Sequence, residues 1–164
     1  MQMRYANESE IHTWNDLINR NPSGGNILQG KEFVELKTKS GWKVRYILSD
    51  YCAFTVIEKH IPLLGMVWYC PKGPGVASKE DLANLLPELI VFAKKQGVFT
   101  VKIEPELDYT TDVTDLNLIP TAPVQYNYST VYVDLSPSLD EILTNLNQKG
   151  RHAIRRAERD GVTV

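Results

Sequence analysis

The chain has 164 residues, of which 43% are hydrophobic and 23% charged, and its formal net charge is −2. This length allows one domain with a buried core, and no segment approaches the ~18 consecutive apolar residues of a membrane span. The first eight residues contain no apolar core of a secretory signal, so we expect a cytoplasmic protein. The slight acidic excess disfavours a general nucleic-acid coat and is compatible with one local anion site.

The first half of the chain predicts a strand, two helices and three further strands. Asn7 or Ser9 suits the N-cap of the first helix, and the second is expected to turn Leu28, Phe33 and Leu36 towards the core. Alternating polarity and short connections favour an antiparallel meander of the later strands. The predicted bounds are a strand over residues 3–5, helices over about 7–19 and 28–39, and strands over 42–48, 51–58 and 65–69.

The second half begins with a turn at residues 71–75, Pro-Lys-Gly-Pro-Gly. Ser78 can cap a helix that reaches about Gln96, in which Pro87 predicts a kink or an early end. The apolar run 98–103 predicts a buried strand. Residues 104–125, with three prolines, predict a loop, and residues 129–135 alternate as a further strand.

The end of the chain predicts a basic amphipathic helix. Ser136 is expected to be its N-cap and Pro137 its first helical residue. Gly150 leaves two alternatives, one unbroken helix or two helices joined by a turn at that residue. The apolar stripe consists of Leu139, Ile142, Leu143, Leu146, Ala153, Ile154 and Ala157.

The basic charge of the chain is concentrated in this helix. Residues 149–160 carry a net charge of +3, which leaves −5 on the rest of the chain. Arg151, Arg155 and Arg159 are spaced four residues apart and share one face of an unbroken helix. This guanidinium cluster indicates a local anion site, with a solvated helix face as the alternative.

The order of predicted elements is β-α-α-β-β-β-α-β-β-α. It resembles the N-acetyltransferase-like (GNAT) plan, an α/β fold with a mixed, mainly antiparallel sheet and helices on both faces. A fold by itself does not identify a function.

Three local motifs are more specific than the order of elements. The first is residues 25–29, Gly-Asn-Ile-Leu-Gln, followed by Phe33 and Lys37. The second is residues 69–74, Tyr-Cys-Pro-Lys-Gly-Pro, and the third is residues 149–157, Lys-Gly-Arg-His-Ala-Ile-Arg-Arg-Ala, followed by Gly-Val at 161–162. With these motifs the chain resembles the amino-terminal GNAT-like half of the Fem (FemABX) aminoacyltransferases. Gly30, Phe33 and Lys72 depart from the family's Ser, Trp and Arg.

The resemblance implies an enzyme that transfers an amino acid from aminoacyl-tRNA to the stem peptide of a peptidoglycan precursor. The implied partners are aminoacyl-tRNA and a UDP-muramyl-peptide or lipid-linked precursor, with no more than transient proximity to the membrane surface. The chain spans about half of a typical family member. We therefore expect residues 1–164 to be one GNAT-like domain, inactive alone, in which residues 149–164 form the interdomain helix and the start of an absent second GNAT-like domain. The apolar face left exposed there suggests a possible homodimer.

The resemblance also implies the substrate-binding residues Lys37, Arg151 and Arg155. Lys37 matches the family's substrate-contacting lysine and would bind a phosphate, the alternative being a lysine that stabilises a helix C-terminus. Arg151 and Arg155 would bind the precursor diphosphate or the tRNA backbone. For these two the alternatives are ion pairs with Glu158 and Asp160, or a structural bridge to the second domain.

The remaining patterns predict no metal and no cofactor beyond the aminoacyl-tRNA co-substrate. The three histidines show neither metal-ligand nor triad spacing, and Cys52 and Cys70 are expected to be free thiols. Residues 71–78 lack the Gly-rich loop that would bind the pyrophosphate of acetyl-CoA. The alternatives to aminoacyl transfer are a non-catalytic recognition or scaffold domain, an N-acetyltransferase and, least favoured, a DNA-reading helix-turn-helix.

Overall fold

The chain folds into two units with different contents. The computed structural model describes residues 3–122, 124, 131 and 133–163, and the two units are Met1–Gln125 and Tyr126–Val164. The described elements of the first unit are β1 (Arg4–Tyr5), α1 (Glu8–His12), α2 (Trp14–Asn19), a 3-10 turn (Ile27–Gln29), α3 (Lys31–Lys39), β2 (Lys43–Leu48), β3 (Ala53–Ile61), β4 (Gly65–Cys70), α4 (Lys79–Lys95), β5 (Val98–Ile103) and a second 3-10 turn (Thr114–Leu116).

The sheet of the first unit has five strands in sequence order, β1-β2-β3-β4-β5. The pairs from β1 to β4 are antiparallel, whereas β4 and β5 are parallel. A parallel pair needs a long crossover, and α4 provides it. The sheet is therefore mixed and mainly antiparallel, as predicted.

One face of the sheet packs against α4. Phe54 and Val56 of β3 and Trp68 of β4 are completely buried in the cluster that contains the apolar side of α4. Ser78 caps that helix through a reciprocal pair of hydrogen bonds with Asp81. The leucines that α4 contributes to this core are Leu82, Leu85, Leu86 and Leu89.

The opposite face packs against α1 to α3. Ala53 alternates with Phe54 along β3 and packs with the buried Trp14 and Ile18 of α2. The indole of Trp14 lies edge-on to Tyr46 at 4.9 Å between ring centroids. Helices thus cover both faces of the sheet, and the predicted α/β class, a mixed and mainly antiparallel sheet between helices, is confirmed.

Two predicted helices of the first unit differ in their bounds, and of the two alternatives at Pro87 the early end is wrong. The helix predicted over 7–19 is divided at Thr13 into α1 and α2. The second predicted helix begins as the 3-10 turn, α3 starts only at Lys31, and its buried residue is Val34, whereas Leu36 is 57% exposed. Pro87 does not end α4, which continues to Lys95. The missing hydrogen bond costs about 3 kcal/mol, and each buried leucine on either side contributes about 1.5–3 kcal/mol, so packing holds the two halves together.

The second unit contains α5 (Leu139–Asn145) and α6 (Gln148–Arg159). The N-cap of α5 is Ser138 rather than Ser136, because only Ser138 has a glutamate, Glu141, three residues later to complete the reciprocal cap. The helices separate at Leu146 and Asn147, and Gly150 lies inside α6. Of the predicted strand 129–135, residues 129, 130 and 132 lie outside the described residues. The described residues 131 and 133–135 belong to no strand, so the prediction is wrong there.

No helix among the described residues is long and apolar enough to cross a bilayer.

Candidate functional site

Lys37 belongs to a group of two lysines and two aromatic rings at the C-terminal end of α3. Its ammonium lies 5.0 Å from the ring centroid of Phe33, one helical turn earlier. The ammonium of Lys59, on β3, lies 5.3 Å from the ring of Trp42. The backbone N–H of Trp42 donates to the carbonyl oxygen of Lys37 at 3.3 Å, which joins the two pairs. We call Phe33, Lys37, Trp42 and Lys59 the lysine–aromatic cluster.

The two ammonium groups of this cluster are not neutralised by carboxylates. Across the described residues, neither Lys37 nor Lys59 forms an ion pair. Glu35, the acidic residue of α3 that is closest to Lys37 in sequence, lies instead 3.8 Å from the ammonium of Lys31. The aromatic rings stabilise the cations by about 0.5–1 kcal/mol each at such exposed sites. The cluster therefore presents two positive charges that an anion can bind.

Gln29 brings the first two sequence motifs together. Its side chain is buried, its Oε1 accepts from the Thr55 backbone N–H at 2.7 Å, and its Nε2 donates to the carbonyl oxygens of Thr55, at 3.3 Å, and Pro71. Asn21 repeats this pattern on Ala53, with bonds of 2.7 and 2.8 Å. Pairing between β4 and β3 ends opposite Ile57. Beyond Ile57, the side-chain amides of Gln29 and Asn21 form the hydrogen bonds to β3 that β4 no longer forms.

The turn after β4 packs tightly against the same glutamine. A methyl group on Gly73 would lie 2.9 Å from Cys70 Sγ and 3.0 Å from the Gln29 side chain. The carbonyl of Gly73 accepts from the Glu104 backbone N–H at 2.8 Å, which ties the turn to the end of β5. Residues 71–75 are thus a buried structural turn, as the sequence favoured for Gly73 and Pro74.

Glu104 fastens the loop that follows β5. One carboxylate oxygen accepts from the hydroxyl of Tyr69 at 2.6 Å and the other from the Val124 backbone N–H at 2.9 Å. Lys102 Nζ donates to the carbonyl of Ala122 in the same loop. Glu104 therefore holds the returning loop against the carboxyl end of the β4–β5 pair. In contrast, Asp108 and Tyr109 lie on the exposed part of the loop.

The buried ionisable groups are held in unreactive states. Burial raises the pKa of Cys52 to about 11 and raises that of Cys70 well above its ordinary value, so neither supplies a thiolate at neutral pH. Burial also raises the pKa of Glu58, but hydrogen bonds from Arg45 and Trp68 outweigh it and leave the pKa lowered. Its carboxylate is bound to Arg45 at 3.0 and 3.2 Å and to the Trp68 indole at 2.8 Å. Glu58 is thus a structural anion.

A hollow of about 250 Å³ lies between α2 and the start of α3. Its lining side chains Asn15, Asn26 and Glu32 are hydrogen-bonded within the protein. Asn15 Nδ2 donates to Glu32 at 2.9 Å while Asn15 Oδ1 accepts from the Lys31 backbone N–H at 2.8 Å. Asn26 donates to Glu106 at 2.7 Å. These bonds occupy the side chains of Asn15, Asn26 and Glu32, so we assign no role to the hollow.

The two predicted arginines of the second unit have different surroundings. Arg151 donates to the carbonyl oxygens of Thr144, at 3.0 Å, and Leu146. It therefore binds the C-terminal carbonyls of α5 and helps to fix the turn between α5 and α6. Arg155 is exposed and makes neither a hydrogen bond nor an ion pair among the described residues. The expected partner Asp160 pairs instead with Arg156 at 3.4 Å.

Lys37 lies in the first unit and the two arginines in the second, so their convergence on one ligand stays a prediction.

Trp42 and Lys59 were missed by sequence reasoning. The signal that could have found them is antiparallel register: Lys43 pairs with Glu58, which places Trp42 beside Lys59 on the face that α3 covers. The described residues contain no group of three or more His, Cys, Asp or Glu side chains that could hold a metal ion.

Comparison with known proteins identifies the family. The protein-family model described as "FemAB family" matches residues 10–126. The chain belongs to the FemAB family. This match includes Gln29, Lys37, Trp42, Lys59 and the turn at 71–75, whereas the basic motif of α6 lies beyond its last residue.

Two further comparisons add little to this assignment. A solved structure described as that of a probable acetyltransferase is 12% identical, with 82% of this chain and 99% of that chain covered and a TM-score of 0.45. A similarity this weak identifies neither an activity nor a substrate. No curated protein matches the chain. Membership of the FemAB family by itself supports an acyltransferase role.

Proposed function

We propose that this FemAB chain is the part of an aminoacyltransferase that binds the acceptor precursor. In the proposed reaction an amino acid passes from aminoacyl-tRNA to an amine on the stem peptide of a peptidoglycan precursor. The neutral amine attacks the ester carbonyl, a C–N bond forms, and the C–O bond to the tRNA ribose breaks. The amine proton is lost and the ribose oxygen gains a proton, so the products are an amide and an uncharged tRNA.

The observation that carries this proposal is the state of Lys37. It matches the family's substrate-contacting lysine, lies within the matched residues, and carries an ammonium at the end of α3 that forms no ion pair with any described residue. An ammonium is a suitable point charge for a phosphate of the UDP-muramyl-peptide or lipid-linked precursor. Lys37 would therefore anchor the precursor while the reacting amine lies elsewhere on the molecule.

The proposed catalysis depends on positioning rather than on a nucleophile of the protein. The thiols of Cys52 and Cys70 are buried and protonated, and Glu58 is bound to Arg45. Holding two reactants in the right geometry supplies several kcal/mol of a barrier such as this one. The protein's contribution is then to bind the diphosphate and orient the stem peptide.

We propose that both arginines contribute to the same site, and that Arg151 has a structural role in addition. Arg155, exposed on α6, is proposed to contact phosphate of the tRNA or precursor. Arg151 is proposed to serve the same site while it also binds the carbonyls of α5. A second GNAT-like domain is proposed to complete the reaction site, so residues 1–164 alone should show no aminoacyl transfer.

The setting proposed for this reaction is the cytoplasm, with aminoacyl-tRNA as co-substrate and no further cofactor. The start of α4 supports the exclusion of acetyl-CoA. The backbone N–H groups of Ser78 and Asp81 are already bonded to each other's side chains, and Glu80 and Asp81 place negative charge in the first turn. A pyrophosphate would meet occupied donors and repulsion there.

Calorimetric titration with a UDP-muramyl-peptide tests the proposal. The wild-type chain should bind it saturably, and Lys37→Ala should weaken binding by roughly tenfold or more because a charged contact to phosphate is lost. Lys39→Ala is the matched control, since Lys39 is an exposed lysine in the same last turn of α3. Equal binding by the Lys37 variant and wild type would remove the basis of the proposal.

A second candidate is a recognition domain without catalytic activity. The unreactive state of Cys52, Cys70 and Glu58 favours it. The two candidates predict different turnover in a complete enzyme of the family that contains this chain. A catalytic role requires that Lys37→Ala lower turnover when aminoacyl-tRNA and precursor are both saturating, whereas a recognition role raises the KM for the precursor and leaves that turnover unchanged.

A further inference from the structure

We propose that Lys59, supported by Trp42, is a second phosphate-binding residue that acts together with Lys37 on a diphosphate. This inference rests on the proposed function of Lys37 and extends its site by two residues. No sequence motif of the chain includes either residue.

The strand register puts Lys59 on the correct face of the sheet. The pairs Lys43–Glu58 and Val44–Ile57 align β2 with β3, so the next position along β2, Trp42, lies beside Lys59. Side chains alternate along β3, and Glu58 points to the α4 side, where it binds Trp68. Lys59 therefore points to the side of α3, the same side as Lys37.

The turn between α3 and β2 brings the two lysines to one corner. The carbonyl of Lys37 accepts from the N–H groups of both Ser40, at 3.0 Å, and Trp42, at 3.3 Å. Gly41 makes this reversal with φ at +81°, a conformation that glycine adopts without strain. Trp42, whose ring lies against the ammonium of Lys59, is thus hydrogen-bonded through its backbone N–H to Lys37.

The charges at this corner are available to a ligand. Glu58, the carboxylate nearest to Lys59 in sequence, is bound to Arg45 on the other face, and Glu35 is near Lys31. Each ammonium rests over a ring that limits where its side chain can go, which lowers the entropy lost on binding. Two ordered positive charges match an anion that carries two adjacent phosphates.

The competing explanation is that both lysine stems merely cover aromatic surface. That role predicts lower stability on substitution and no effect on a ligand. Lys→Met variants separate the two explanations, because methionine keeps an unbranched apolar stem over the ring and removes the charge. Lys43→Met is the matched control, since Lys43 is exposed, adjoins Trp42 and alternates with it to the other face.

Tryptophan fluorescence gives a local reading of binding. Of the three tryptophans, Trp14 and Trp68 are completely buried, and Trp42 is partly exposed. Inorganic pyrophosphate added to the wild-type chain should change the emission in a saturable way, and Trp42→Phe should abolish that change. Far-UV circular dichroism and thermal unfolding establish that each variant is folded.

The expected result is that Lys37→Met and Lys59→Met each weaken pyrophosphate binding about tenfold. Lys59→Arg should restore most of the affinity, and Lys43→Met should leave it within about twofold. UDP and a prenyl diphosphate are then compared as probes. Preference for either one supports the diphosphate site and identifies a nucleotide-linked or a lipid-linked source.

Two results would overturn the inference. If Lys37→Met weakens binding and Lys59→Met does not, Lys59 is not part of the site, while the proposed function of Lys37 stands. If the wild-type chain does not bind pyrophosphate saturably, the diphosphate site is refuted. The proposed function is judged separately in that case, by calorimetry with the UDP-muramyl-peptide.

Discussion

Replacement of Gln29 by leucine tests how the first unit holds its two family motifs together. Leucine fills a similar volume but neither donates nor accepts hydrogen bonds. The substitution leaves the buried N–H and carbonyl of Thr55 and the carbonyl of Pro71 without their partner. Each unsatisfied buried polar group costs about 1–3 kcal/mol, so we expect a loss of about 3–9 kcal/mol in the free energy of unfolding.

A loss of this size is large for a protein whose total stability is on the order of 5–15 kcal/mol. For about 160 residues, each 1 kcal/mol lowers Tm by roughly 2–4 °C, so a 3 kcal/mol loss corresponds to about 6–12 °C. Urea unfolding is the primary assay, because an unchanged slope with a lower midpoint isolates a change in stability. Hydrogen exchange should also become faster at the amides of Thr55 and Glu104, which depend on the Gln29 bonds and on the turn at Gly73.

Gln148→Leu is the matched control, since Gln148 is exposed at the start of α6. It should change stability by no more than about 0.5 kcal/mol. If Gln29→Leu behaves like this control, the hydrogen bonds of Gln29 do not hold the turn after β4, and the structural reading of the first two motifs is refuted.

Three further predictions concern other parts of the chain. Gly73→Ala should destabilise the first unit by about 1–3 kcal/mol in urea unfolding, because its methyl group would lie 2.9 Å from Cys70 Sγ. Gly24→Ala is not a clean control for this substitution, since φ at Gly24 is +79°. The pKa of Glu10 is lowered to about 2 by hydrogen bonds from Arg4 and Asn7. The stabilising contribution of Glu10 is therefore complete above about pH 4.5 and is lost as the pH falls towards 2. Glu10→Gln should flatten the pH dependence of Tm between these two pH values. Arg151→Ala should lower the helicity of α5 and α6 measured by carbon chemical shifts, whereas Arg155→Ala should leave it unchanged, because only Arg151 binds the carbonyls of Thr144 and Leu146.

Elements with complete local signals were predictable from the sequence. The bounds of β5 agree because its apolar residues lie between Gly97 and Glu104. The prediction that this strand is buried is wrong, since only Val98 is buried and Phe99 is 50% exposed. The start of α4 agrees because Ser78 and Asp81 have the spacing of a reciprocal cap. The predicted start of α5 is wrong because two serines precede the helix, and only the glutamate three residues after Ser138 distinguishes them.

The candidate site was only partly predictable, since its parts come from separate elements. Lys37 follows from its motif, but its setting depends on the bond from Trp42 across the turn. Lys59 lies one residue beyond the predicted end of its strand, and it meets Trp42 only through the register of β2 and β3. The bonds of Arg151 could not be foreseen because they depend on a helix break at Leu146, whereas the sequence offered only an unbroken helix or a break at Gly150.

Chemical-shift mapping with a UDP-muramyl-peptide tests most directly whether the precursor binds at the end of α3. In ¹H–¹⁵N spectra of the labelled chain, we expect the largest saturable changes at the backbone amides around Lys37 and Lys59 and at the indole N–H of Trp42. The indoles of Trp14 and Trp68, which are buried and bonded to Gln29 and Glu58, serve as internal references and should move little. Changes confined to α5 and α6, or an indole signal of Trp42 that stays in place at saturation, would contradict the account.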